Sequence, residues 1–384
     1  MYKKLLIAFL LPFALYLVPL PAAEWYGYYE SEANIFSLPD NDYSFVYHKF
    51  NLDMDASPSE NLRFSTSLVY KNYFGNKTFL MDDFIHPDYM PISFQWQFYI
   101  PLQDTLYWKS MALDIYTKFA DITIGKQQIS PGCGYAWNPA DIFNTKDVMD
   151  PTYEQNGVQG LSIKSNFPLD ILMTYHTVID GPFDSAPHML ILKKNISGMD
   201  ISANIIIVNN PTYYNAELYK ERTLAGMTME ADIFGLGLRM EYEQSFLKDL
   251  SGKDITKVEF VIGTDWTFSN SLYLMLEYFH NDFGVESEEV DFNHIMASFS
   301  GIQRSLNRDY LFTYMMFPLT DLSSLSLAMI SNLNDGSSSI NPQVDVSIYQ
   351  NLDLQWMISL PIGPDKSEFA YQKWGTRLRL SAYF

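Results

Sequence analysis

The stretch Leu352-Asp353-Leu354-Gln355-Trp356-Met357-Ile358-Ser359-Leu360 puts a large apolar side chain at every second position. Successive side chains of a pleated strand point to opposite faces, so a period of two marks a strand with one apolar side and one polar side. Outward from this stretch the alternation returns. It runs through Val258, Phe260, Ile262, Thr264, Trp266 and Phe268 against Lys257, Glu259, Val261, Gly263 and Asp265. Leu62, Phe64, Thr66, Leu68 and Tyr70 repeat it against Arg63, Ser65 and Ser67, and Leu236, Leu238, Met240 and Tyr242 against Gly237, Arg239, Glu241 and Glu243. A soluble sandwich would alternate in the same way. The connections separate the two cases.

Eighteen segments carry the pattern, with sixteen as the alternative count, from 25–33 through 188–196 and 199–208 to 374–384. Tight turns fall near Ser57-Pro58 and at Ala120-Asp121, Phe167-Pro168, Ser197-Gly198, Phe234-Gly235, Ser269-Asn270, Pro318 to Asp321 and Asn351-Leu352. Between them lie longer connections at 34–42, 73–105, 131–156, 179–187, 209–222, 248–255, 282–307, 332–341 and 362–373. Short turns in one phase and long loops in the other are what an all-β transmembrane antiparallel barrel requires, with both termini at the short-turn rim. Ten residues at ~3.3 Å each, tilted by roughly 40°, span about 25 Å, the height of such a barrel's apolar band. Closure leaves no sheet edge in lipid. The aromatic segment 93–101 would be either a lumen plug or an extra strand.

Residues 1–23 read as a secretory signal and 24–384 as a single barrel domain. Lys3 and Lys4 form the charged start, Leu5 to Leu20 the apolar run, and Pro21, Ala22 and Ala23 its end. No later stretch approaches the ~20 consecutive apolar residues of a transmembrane helix. A composition 47% hydrophobic and 16% aromatic excludes disorder. The lone Cys133 excludes a disulfide scaffold, and a net charge of −20 speaks against a nucleic-acid partner.

The chain ends Trp374-Gly-Thr-Arg-Leu-Arg-Leu-Ser-Ala-Tyr-Phe384, with Leu378, Leu380, Ala382 and Phe384 on one face and Arg377, Arg379, Ser381 and Tyr383 on the other. This resembles the last strand of Gram-negative outer-membrane β-barrel proteins, whose terminal aromatic residue the barrel-assembly machinery recognises. The resemblance implies that machinery as a partner through Phe384. A second likeness covers Ala112 to Asp150, where Asp121-Ile-Thr-Ile-Gly-Lys-Gln-Gln-Ile129 leads into Gly132-Cys-Gly-Tyr-Ala-Trp-Asn-Pro-Ala-Asp-Ile-Phe-Asn144. It is similar to a pattern of porin-like families, alginate-export-type barrels among them. There a strand ending in Gly-(Arg or Lys)-Gln precedes a Trp-Gly-rich segment, an Asn-Pro-x-Asp turn and a loop folded toward the pore. Pro131-Gly132 stands where a Trp-Gly pair is commoner. The likeness implies passive diffusion through the lumen without energy coupling.

On its residues alone, 131–156 is too apolar to hang in water, with Tyr135, Trp137, Phe143 and Tyr153, and too punctuated by Pro131, Gly132, Gly134, Pro139 and Pro151 for a strand. Folding into the lumen resolves both problems, an ordered flap over the mouth being the alternative. If the apolar face of each strand meets lipid, Arg63, Lys126, Lys164, Arg239, Arg377 and Arg379 point inward together with Glu230, Asp232, Glu241, Glu243, Asp265, Glu277, Asp345 and Asp353. Most of these are expected to pair with one another. The pore-lining and constriction candidates are therefore Lys126, Gln128, Tyr135, Trp137, Asp141, Asp147, Arg239, Arg377 and Arg379. The long connections carry roughly −15 of the chain's charge, enough to gather cations at the mouth, although keeping loops soluble is the plainer role of such acids.

None of the six histidines has metal-ligand spacing or a convincing Ser nucleophile beside it, so neither enzyme chemistry, a metal nor a cofactor is expected. His280 with Asp282 is the one pair to test, and a rim histidine beside a loop acid is its ordinary meaning. The sequence points to an outer-membrane channel passing small hydrophilic solutes with some cation preference, seated in outer-membrane lipids and compatible with a homo-oligomer. The rival is a non-conducting barrel serving as a surface adhesin or structural anchor, its lumen blocked by 73–105 and 131–156.

Overall fold

A computed structural model describes residues 23–89, 99–144, 154–179, 186–208, 219–249, 251–286, 290–299 and 304–384. The expected export signal, up to residue 22, and the candidate Asp147 lie outside these residues. The alternating stretches form β1 (Ala23–Ser37), β2 (Asp42–Ser59), β3 (Leu62–Gly75), β4 (Thr78–Leu80), β5 (Tyr99–Pro101), β6 (Thr105–Tyr116), β7 (Asp121–Gln127), β8 (Val158–Phe167), β9 (Ile171–Val178) and β10 (His188–Ile196). They continue as β11 (Met199–Val208), β12 (Tyr219–Ile233), β13 (Leu236–Asp249), β14 (Asp254–Thr267), β15 (Tyr273–Asn281), β16 (Asp309–Thr320), β17 (Ser323–Asn332), β18 (Ser338–Tyr349), β19 (Leu352–Ile362) and β20 (Trp374–Tyr383). Eighteen of them close one antiparallel barrel, each paired with its sequence neighbours and β20 paired back onto β1. β4 and β5 stand apart as a two-stranded ribbon, so the end of the aromatic segment 93–101 adds no barrel strand; its residues 93–98 lie outside the described set.

The expected strands and the barrel strands correspond one to one, and β10 and β11 keep their expected bounds. One difference lies at the first hairpin, where β1 and β2 stay paired out to Ser37 and Asp42, so the expected loop 34–42 shrinks to 38–41. Packing explains it: Phe36, Tyr43 and Phe45 gather around Phe79 and Phe84 of the next loop, which gives the hairpin an apolar surface beyond the wall. At the opposite rim the connections are short. Ser197-Gly198 and Phe234-Gly235 each take positive φ at both positions (54° and 87°, 56° and 88°), the conformation whose twist matches a tight antiparallel hairpin. The other rim carries 76–104, 128–157 and 282–308.

Burial is inverted relative to a soluble protein. Trp25, Tyr70, Met240, Tyr242, Ile262, Trp356 and Leu378 stand exposed on the outside, while Glu241, Glu243 and Glu277 are buried within. An apolar outer band with polar side chains inside is what a lipid surround demands of a barrel wall.

Candidate functional site

Beyond Gln127 the chain leaves the wall and turns inward. Ser162 Oγ donates to Gln127 Oε1 (2.6 Å), while Gln127 Nε2 donates to the Gly160 carbonyl (3.1 Å). Asn138-Pro139-Ala140-Asp141 then makes a turn closed by the Asp141 N–H on the Asn138 carbonyl (3.0 Å). The Asp141 carboxylate holds this turn, accepting from Ser130 Oγ (2.7 Å) and from the N–H groups of Phe143 (3.1 Å) and Asn144 (3.0 Å). Burial pushes its carboxyl above the usual range against the pull of these donors. Asn144 Nδ2 ties the loop's base by donating to the Ile129 carbonyl (2.6 Å).

Two wall glutamates then hold the loop. Glu241 accepts from the N–H groups of Cys133 (2.8 Å), Gly134 (3.1 Å) and Ala140 (2.7 Å). Glu277, two strands on, accepts from those of Tyr135 (2.6 Å), Ala136 (2.8 Å) and Trp137 (3.0 Å). Six backbone donors with no strand partner thus meet two carboxylates with no base on them in these bonds, and charge-assisted hydrogen bonds are about twice as strong as neutral ones. The approach is close. A Cβ on Gly132, whose φ is +93°, would sit 1.8 Å from Asn138 Oδ1 and 2.6 Å from Glu241 Oε2. Apolar contacts complete the seat: Trp137 stacks on Phe279 with ring centroids 5.1 Å apart, Tyr135 packs on Phe312, and Ile142 enters a cluster with Met189, Ile206 and Leu224. Arg304 from the 282–308 loop donates to the carbonyls of Pro139 (3.1 Å) and Asp141 (2.7 Å) and pairs with Glu259 (3.3 Å).

The far end of the same connection is held by the other wall. Glu154 receives Lys49 Nζ (2.7 Å), Lys109 Nζ (2.9 Å) and Tyr28 Oη (2.6 Å). Burial opposes its ionisation, but the two lysines outweigh it and hold its carboxyl down at about 2. Bases gather on this wall: Arg379 pairs with Glu32 (2.5 Å) beside Arg377, and Lys71 lies 3.7 Å above the Tyr47 ring. Two lumen cavities meet this connection, one at Glu154 and one at the base of the inward loop. The larger, about 730 Å³, is lined by Glu30, Glu154, Asp321, Asp345 and Asp353 with Arg379, and the smaller, about 430 Å³, by Gln128, Lys164, His176, Lys193 and Glu230 among others.

Of the candidates from sequence, the structure brings Tyr135, Trp137 and Asp141 together in the inward loop, and Gln128 onto the smaller cavity. Arg239 lies on the loop-bearing wall paired with Asp265 (2.5 Å), apart from Arg377 and Arg379. Lys126 lies near the end of β7, before the inward loop. It alternates with Thr123 and Gln127, which line the smaller cavity, and shares its parity with Ile122 and the exposed Ile124. The anchoring roles of Glu241, Glu277, Glu154 and Arg304 were not legible. His280 lies between Asp309 (2.8 Å) and Asp282 (3.3 Å) and stacks on Phe260, part of the outer aromatic surface. Cys133 is half-buried, its Sγ donating to the Met240 carbonyl (3.2 Å), and burial pushes the thiol up to about 12, away from reactivity.

No protein-family model matches the sequence, and no curated protein does. Solved structures do match in fold. The chain is similar to OccAB4 of Acinetobacter baumannii (TM-score 0.56, 10% identity, 94% of this chain and 98% of that one). It is similar to a BenF-like porin of Pseudomonas fluorescens Pf-5 (0.57, 10%, 95% and 99%). The outer membrane protein OprD of Pseudomonas aeruginosa is a third (0.55, 8%, 94% and 93%). At these identities the likeness is one of fold, and it runs over nearly the whole of each chain.

Proposed function

We propose that the chain is an outer-membrane channel through which small hydrophilic solutes diffuse passively, exported by the signal at 1–23 and assembled through its last strand. The observation that carries this is the seat of the 131–144 loop, pinned by Glu241 and Glu277 to one wall, with a cavity of about 430 Å³ against its base and a second of about 730 Å³ beside Glu154 at the far end of the same connection. A plug has no need of such a one-sided anchor. In this reading Tyr135, Trp137 and Asp141 narrow the pore, and Gln128, Arg239, Arg377 and Arg379 line its path. Of the likenesses read from the sequence, the shared fold favours the porin-like one. Planar-bilayer recording of the refolded protein is the test: stepwise ohmic currents are expected, and their absence at every protein concentration favours the adhesin or anchor.

Cation preference belongs to the same proposal. Five carboxylates to one arginine line the larger cavity, and the outer loops carry most of the acid excess. A low-dielectric wall focuses such a field on the permeating ion. The reversal potential in a KCl gradient is expected on the potassium side of zero; a chloride-directed value sinks this part.

A further inference from the structure

The outer loops enclose a third chamber, distinct from the two lumen cavities. Its volume is about 420 Å³ and its walls are apolar and aromatic, with Ile85, Tyr89, Ile295, Leu306, Phe369 and Tyr371 among them. A space of this size and character suits a small organic molecule. Four connections build it: 76–89, the segment around the helix Phe292–Phe299, 333–337 and 363–373.

The floor carries charge of one sign. Glu368 is half-buried and lines the chamber, its Oε2 accepting from Tyr310 Oη (2.7 Å) and Asn332 Nδ2 (2.8 Å). Its own N–H donates to Asp335 Oδ2 (2.8 Å), which sets the two acids side by side. No lysine, arginine or histidine pairs with either among the described residues. Lys366, the lining base, is paired with Asp88, and His86 packs on Tyr89 and Tyr371 and reaches Asp365 (3.7 Å). Nor do the undescribed parts of these loops, 90–98, 287–289 and 300–303, contain a Lys or Arg. Burial, with Asp335 adding to it, raises the Glu368 carboxyl to about 7. The chamber therefore combines aromatic walls with two adjacent acids that no base pairs with among the described residues, and a cation on an apolar body satisfies both.

We propose that this chamber is a binding site for organic ammonium compounds, the charged nitrogen set against Asp335 and Glu368 and the body against Tyr89, Phe369 and Tyr371. The site does not require that the barrel conduct.

Isothermal titration of the refolded full chain in non-ionic detergent tests it, with 2-phenylethylammonium and benzyltrimethylammonium as probes and 3-phenylpropionate as the control of opposite charge. Saturable one-to-one binding of both cations is expected, with no binding of the carboxylate. Glu368→Gln keeps an acceptor for Tyr310 and Asn332 while removing the charge, and binding should weaken by about tenfold or more. Ile295→Trp fills the chamber without touching the acids and should abolish binding. Cations that bind no better than 3-phenylpropionate, or that bind equally well to both variants, overturn the proposal.

Discussion

Glu277 Oε1 takes two loop donors, Ala136 and Trp137, and Oε2 takes Tyr135. In Glu277→Gln an amide NH₂ replaces one oxygen, and whichever way the amide turns, a donor faces a donor. A buried N–H left without its acceptor costs about 1–3 kcal/mol. Amide exchange of Tyr135, Ala136 and Trp137 should therefore quicken by about tenfold or more, while the wall strands keep their protection. Unchanged rates would mean that the Trp137–Phe279 stack holds the loop without the carboxylate. At this scale the sequence was half legible. Alternation alone turned Glu241 and Glu277 inward, but their donors come from 101 to 142 residues away in the chain, and no local pattern links such positions. Lys126 shows the converse tension: its charge suggested the lumen, while its strand parity is that of Ile122 and the exposed Ile124.

The connections behave as elements with their own pH response. Glu154 has a folded pKa of about 2 against an ordinary 4.5, so its contribution is fully present above pH 4.5 and is lost as pH falls through about 2. Amide protection in 154–157 should hold between pH 7 and pH 5 and be lower throughout in Glu154→Gln, where Lys49 and Lys109 lose their shared counter-ion; a fall in the parent protein by pH 5 would show that another group secures this end. Glu368 has the reverse sign. Raised from 4.5 to about 7, with Asp335, Tyr310, Lys366 and His86 around it, it contributes stability that is complete below pH 4.5 and is lost as pH rises through 7. The 363–373 loop should then exchange more slowly at pH 5 than at pH 8, after correction for intrinsic rates, and Glu368→Gln should flatten the difference. A loop equally protected at both values would show that the chamber holds itself together without that proton. Strands were legible where loops were not, because a period of two is imposed residue by residue by the two sides of the wall. What extends β1 and β2 past the wall is an aromatic contact with Phe79 and Phe84, which only the folded chain brings near.

Charge is distributed over the whole molecule at two levels. The sequence placed most of the acid excess in the long connections, and the strands hold a second set near the short-turn rim, where Asp345 accepts from Gln343 and Gln355 and Asp353 from Ser347. No base pairs with either acid among the described residues, whereas most of the inward charges were expected to pair with one another. Those bases were already engaged: Arg377 and Arg379 lean on Glu30 and Glu32, and Arg239 on Asp265. An ion crossing the barrel would thus pass carboxylates at each mouth, with paired charges and the anchored loop between them. If these unpaired acids set the preference for cations, Asp345→Asn with Asp353→Asn should lower the potassium-to-chloride permeability ratio by about twofold without changing the loop's seat. The reduction should be larger at 0.1 M salt, where the screening length is about 10 Å, than at 1 M, where it is about 3 Å. Reversal potentials at both concentrations give the ratio directly, and a ratio unmoved by the double substitution at 0.1 M would place the selecting charges in the outer loops instead.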